Sequence, residues 1–97
     1  MNKTAFYIVV DMKTPDGYIS YCHFFIGGDK DRAEAVFNSL NGIIPDIADS
    51  AYVLRMCLVC RQNNSSIVKA MRYCTLDDLA VNVPLITREV FKWLTLH

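Results

Sequence analysis

Four cysteines and two histidines are the residues whose chemistry the sequence puts forward first. Cys57-Leu58-Val59-Cys60 has the Cys-x-x-Cys spacing of redox dithiols and zinc ribbons. Both uses need a turn or a helix start that brings the two sulfurs to one point, where a thiolate is stabilised or a metal is held tetrahedrally. Here the intervening residues are Leu and Val, and on a strand positions three apart face opposite ways, so buried structural thiols are the simpler expectation. A zinc site assembled across strands from Cys22, His23, Cys57, Cys60 and Cys74 has no second ligand pair at zinc-finger spacing, and the adjacent Cys22 and His23 point apart on a strand. No metal and no cofactor is expected. His23 beside Cys57 on one sheet face would offer a base and a thiol nucleophile, yet neither cysteine sits in a nucleophile elbow or another local signature of a hydrolase.

Two further patterns have similarly plain readings. Gly27-Gly28-Asp29 precedes a helix, but it matches neither the dinucleotide fingerprint nor a P-loop, and Asp29 and Asp31 would repel phosphate there. It reads as a strand stop and a helix cap. Arg55, Arg61, Lys69 and Arg72 beside tyrosines suggest a single-strand RNA platform, but the aromatic spacing of that module is missing. Ten basic residues balance ten acidic ones, so no net field favours nucleic acid or an anionic membrane.

The elements that position these residues follow from periodicity. Ala5–Asp11 and Tyr18–Ile26 are rich in β-branched and aromatic residues and flank the turn Pro15-Asp16-Gly17, which makes a first hairpin. Asp29 caps a helix over 29–40, with Ala33, Val36, Phe37 and Leu40 on its apolar face and Asn41-Gly42 at its end. Residues 42–50 read as a loop pinned onto the core by Ile43, Ile44 and Ile47. Ala51–Gln62 alternates as a strand, Asn63-Asn64-Ser65-Ser66 turns the chain, and 67–74 satisfies neither period cleanly but reads as the returning strand. Thr75 and Asp78 form a capping box with Asp in place of Glu, opening a helix over 75–82 with Leu76, Leu79, Ala80 and Val83 on one face. Pro84 is expected to end it. Thr87 then caps a last helix over 87–96, with Ile86 and Phe91 at staple spacing and Val90, Phe91 and Leu94 toward the core.

The expected fold is therefore α+β, in the order ββαββαα: a four-stranded antiparallel sheet with its helices on one face. The 97 residues form one domain of two hairpin-plus-helix halves, about 1–42 and 51–97. The apolar run Ala5–Val10 is shorter than a signal-peptide core or a membrane span, so a cytoplasmic protein is expected.

Phe25-Ile26-Gly27-Gly28-Asp29 with Ala33, Phe37, Leu40 and Gly42 forms one recognisable pattern. Cys74-Thr75-Leu76-Asp77-Asp78-Leu79-Ala80 with Asn82, Ile86-Thr87 and Glu89-Val90-Phe91-Lys92 forms another. Together they resemble a family of small bacterial proteins of about this length that has no assigned activity. The resemblance implies no catalytic residue.

Both hairpins carry apolar and aromatic residues on both faces, more than one helical layer covers. Tyr7, Val9, Tyr21, His23, Phe25, Val53, Cys57 and Val59 are the candidates for the uncovered face, which marks an interface. The function expected from this pattern is a non-enzymatic interaction module that associates with itself through the open face or a strand edge. The alternative is a small-ligand-binding protein or a weak cysteine hydrolase with a pocket near Tyr21, His23 and Cys57.

Overall fold

The computed structural model describes residues 4–44 and 52–95, with side chains as far as Lys92 in the final helix. Strand β1, Thr4–Thr14, turns into β2, Gly17–Phe25; helix α1 follows at Lys30–Asn38; β3, Leu54–Gln62, turns into β4, Ser65–Cys74; and helix α2 spans Leu76–Thr95. The four strands form one antiparallel sheet in the order β2-β1-β3-β4. The first arms of the two hairpins thus meet in the middle and the second arms are the edges. This is the α+β architecture expected from the sequence, and residues 67–74 are strand.

Each hairpin turns on two residues. Asn63 and Asn64 both take positive φ, 52° and 69°, the backbone that a type I′ turn requires and that Asn tolerates better than most residues. Glycine adopts that conformation without the clash an L side chain meets. Asn64→Gly is accordingly expected to stabilise the fold by about 0.5–1 kcal/mol, raising the melting midpoint by roughly 2–8 °C. Thermal unfolding followed by circular dichroism checks this, and a lower midpoint would count against the turn geometry.

Strand alternation divides the sheet into two faces. Phe6, Ile8 and Val10 of β1 and Met56, Leu58 and Cys60 of β3 are paired across the central strands and buried beneath the helices. Ala33, Val36, Phe37 and Leu40 are buried with them, as the helical spacing predicts. The Asp29 carboxylate caps α1 by accepting from the Asp31 and Arg32 amides at 3.0 and 3.2 Å. The Thr75–Asp78 box also forms: Asp78 Oδ2 accepts from the Thr75 amide at 3.0 Å, and Thr75 Oγ1 accepts from the Asp78 amide at 3.1 Å. Gly28 is held by space: a Cβ there would lie 2.7 Å from the Thr4 carbonyl oxygen.

The helical layer departs from expectation in one respect. The segments expected as helices 75–82 and 87–96 are one helix, with Pro84 inside it. Pro84 is exposed, and so is Ala80, whose carbonyl loses the proline's missing amide and can turn to water instead. Leu79, Asn82, Ile86 and Val90 meanwhile fall three, four and four residues apart, so the inward stripe runs in phase through the proline. That phase turns three residues expected on the apolar faces outward: Phe91 is 61% and Leu76 68% exposed, and Ala80 is exposed with them. Leu94's side chain, Ala51 and the loop residues 45–50 lie outside the described residues.

Two side chains lock the layers together. Asn82, fully buried, spans the backbone of Asn41: its Oδ1 accepts from the Asn41 amide at 2.7 Å and its Nδ2 donates to the Asn41 carbonyl at 2.8 Å. The Cys74 thiol donates to the same carbonyl at 3.3 Å. At the other end of α1, the Arg32 guanidinium donates to the Ile26 carbonyl at 2.9 Å and to the Glu89 carbonyl of α2.

Candidate functional site

The face of the sheet away from the helices carries most of the residues expected there. Tyr7 stands opposite Phe25 and Val59, and Val9 stands opposite His23 and Cys57, so these six share one face across β2, β1 and β3. The Tyr7 and Phe25 rings lie 5.5 Å apart at a 48° tilt. Met71 and Val68 of β4 extend the face beyond Cys57 and Val59. Tyr21 sits at the bulge where β1 and β2 shift register between Val10 and Asp11, and is 58% exposed. Val53 is placed elsewhere. It precedes β3, its carbonyl accepts from the Lys13 amide at 2.8 Å, and it packs against the buried cluster.

Charge on this face is concentrated at its ends. Arg55 pairs with Asp11 at 2.9 Å, and its guanidinium lies 3.9 Å from the centre of the Tyr18 ring. Tyr18 and Tyr73 reach over this pair from the two edge strands. Burial, and then a hydrogen bond to Tyr73, push the Tyr18 phenol above its ordinary value. Arg61 and Ser66 stand opposite one another at the other end. Between the ends, Tyr7, Val9, His23, Val59, Arg61 and Ser66 line a shallow hollow of about 190 Å³. Of the pocket expected near Tyr21, His23 and Cys57, only His23 lines this hollow. Arg61 and Ser66 were not expected in it: the Asn63-Asn64 turn sets them opposite one another, but their place beside Tyr7 and Val9 depends on how β3 lies against β1.

The chemistry proposed for the cysteines finds no assembled site. His23 and Cys57 flank Val9 from opposite sides, two strands apart, so their backbones are separated by roughly 10 Å at the usual strand spacing. His23 Nε2 instead lies 2.7 Å from Ser20 Oγ. Cys57 faces the open side while Cys60, opposite Phe6, faces the helices, as strand alternation requires. Among the described residues no three of His, Cys, Asp and Glu converge as a metal site would require. The basic residues divide likewise: Arg72 stands opposite Met56 on the helical side, 5.3 Å from the Phe37 ring, while Arg55 and Arg61 are on the other.

Burial pushes the thiols of Cys22, Cys57 and Cys74 up, with Arg55 opposing the shift at Cys57, and Cys74 reaches about 12. A thiol reagent at neutral pH is therefore expected to label the folded protein more slowly than it labels a free model thiol, with Cys74 the slowest of these three. Its thiolate fraction is lower by a factor on the order of 1000 than at the ordinary value. Denaturant should restore normal rates. A fast-reacting Cys57 in the folded chain would revive a nucleophilic role.

No helix among the described residues is long and apolar enough to cross a membrane. Comparison with known proteins places nothing beside this chain: no family model, curated protein or solved structure matches it.

Proposed function

We propose that the protein is a non-catalytic interaction module that pairs with a second copy of itself through the open sheet face. The observation that carries this reading is the face itself. Tyr7, Val9 and Val59 form an apolar centre beside the buried Cys57, Phe25, Val68 and Met71 extend it on the edge strands, and the Arg55–Asp11 pair neutralises one end internally. Aromatic residues, Met and Arg at an interface, with little net charge at its centre, are the composition of protein–protein contacts.

Size supports the same reading. Four strands about 4.8 Å apart and some nine residues long at about 3.3 Å each give a face of roughly 19 by 30 Å. With side-chain relief, that approaches the ~800 Å² per partner of a standard interface.

Joining by strand edges is the less favourable route. Both edge strands carry a register shift, β2 against Val10–Asp11 and β4 against Leu58–Val59. At the β4 shift Lys69 is the unpaired residue, and bulges with lysine on an edge oppose pairing with another chain. Ile43 also takes up the edge hydrogen bonds of Tyr73 through two bonds of 2.9 Å.

Light scattering on the untagged protein across a wide concentration range tests the proposal. The expected mass is twice that of the chain, falling toward the monomer on dilution. A monomer at high concentration removes the reading and leaves the hollow over Tyr7 and Val59 as the candidate site for a small ligand.

A further inference from the structure

The opposite side of the molecule holds a larger concavity, a cleft of about 310 Å³ between α1 and α2. Its floor includes Val36 and Leu85, and its walls carry Arg32, Arg88, Lys92 and Glu89. Three cations thus meet one acid, in a chain whose formal net charge is zero. Among the described residues these charges do not cancel. Arg32 donates to two neutral backbone carbonyls, those of Ile26 and Glu89, and among the described residues its half-buried guanidinium makes no ion pair. The Glu89 carboxylate is already engaged by Lys92 at 3.1 Å. Arg88 is exposed at the rim and, among the described residues, makes no ion pair.

A half-buried guanidinium without a counter-charge favours an anion, since local dielectric lower than water strengthens the attraction. The apolar floor favours a ligand with a hydrocarbon part, and the volume falls at the small end of the range for small-molecule sites. We propose that this cleft binds a small amphiphilic anion, with a carboxylate or phosphate head between Arg32 and Arg88 and a short apolar body against Val36 and Leu85. Binding here is independent of self-association, because the cleft lies on the helical layer and the open sheet face lies on the other side.

Octanoate and octyl phosphate are the probes, titrated into the isotope-labelled full chain and followed by amide chemical shifts, with octanol and inorganic phosphate as controls. Saturable shifts are expected in 32–39 and 85–92. Octanol, lacking the charge, and phosphate, lacking the body, should each bind at least tenfold more weakly. The tighter of the two octyl compounds identifies the head group. Arg88→Glu reverses a charge at an exposed position without disturbing the bonds of Arg32, so it should leave the melting midpoint in place while weakening octanoate at least tenfold; Arg88→Ala should weaken it by less. Absence of saturable shifts in the millimolar range, octanol binding as tightly as octanoate, or binding unmoved by Arg88→Glu would each overturn the proposal.

Discussion

Replacing Asn82 with leucine is expected to cost about 2–4 kcal/mol of stability, although leucine is close to asparagine in size and better suited to an apolar interior. The reason lies in what Asn82 holds. Its amide pairs with both polar groups of the Asn41 peptide, at 2.7 and 2.8 Å, where the chain leaves α1. Leucine supplies neither partner, so the Asn41 amide and carbonyl lose their bonds in a partly buried setting, and each unsatisfied group costs about 1–3 kcal/mol. The Cys74 thiol, 3.3 Å from the same carbonyl, compensates only weakly. For a domain of this size the loss lowers the melting midpoint by on the order of 10–25 °C. Asn41→Ala serves as the control: the clamp grips the backbone of residue 41, so removing that side chain should change stability little.

A second substitution at the same position carries a pH signature. In Asn82→Asp one carboxyl oxygen can still accept from the Asn41 amide, but the other then faces the Asn41 carbonyl oxygen, a repulsion that burial intensifies. The carboxyl is held above its unfolded value of about 3.9 on both counts. A group whose folded pKa is raised contributes stability below the unfolded value and loses it as pH rises through the folded one. This variant should therefore lie nearest to the parent protein in acid and fall further behind it toward neutral pH. Denaturant titrations at several pH values read this directly. Equal stabilities of the parent and Asn82→Leu, or a pH-independent deficit in Asn82→Asp, would show that the clamp matters little.

Why Asn82 escaped the sequence reading, while most of the fold did not, has a physical explanation. Strands, turns and caps announce themselves through local chemistry: alternation in 54–62, the paired asparagines at 63–64, the Asp29 cap and the Thr75–Asp78 box each need only a few neighbouring residues, and all formed as expected. Helix α2 is different because its continuity is decided by tertiary packing. Pro84 removes one hydrogen bond, a local signal to stop, whereas the stripe Leu79, Asn82, Ile86, Val90 is apolar enough on both sides of it to hold the helix against the sheet. Once the helix is broken at 84, Asn82 looks like a polar residue in a frayed end. Followed through the proline, it is a lone amide inside an apolar stripe, and a buried amide must have partners. The same reasoning applies to Arg32, whose acceptors are carbonyls 6 and 57 residues away and leave no pattern in the sequence.

The open face was legible to a similar depth. Alternation put Tyr7, Val9, His23, Phe25, Cys57 and Val59 in phase within their own strands, and the observed register aligned them on one side. Val53 was misplaced because strict alternation extends β3 backward past Leu54, where the chain in fact leaves the sheet and tucks its side chain toward the core. Arg61 and Ser66, which frame the hollow, are paired by the local turn at 63–64, but their place beside Tyr7 depends on the register of β3 against β1, a long-range pairing that leaves no local signature.

Introducing a charge at the centre of that face should therefore separate a self-associating molecule into monomers, and Val59→Glu is the substitution expected to do so most cleanly. Val59 stands opposite Tyr7 in β1 and Val68 in β4, so it lies on a central strand with neighbours on both sides. It is only partly buried in the single chain, which lets a glutamate there extend into water, and the monomer should lose no more than about 1 kcal/mol. In the pair the same carboxylate is trapped between two apolar sheets. An unpaired buried charge costs about 3–5 kcal/mol, and a two-fold interface presents each substitution twice. Association should weaken by at least roughly 100-fold, since each tenfold corresponds to about 1.4 kcal/mol. Leu76→Glu, at an exposed position on α2 on the opposite side of the molecule, should leave association unchanged and so controls for added negative charge in general. Light scattering on both variants separates the possibilities: a Val59→Glu protein that remains folded and fully dimeric would move the contact surface away from the open face, and equal dissociation in both variants would assign the effect to net charge instead of position.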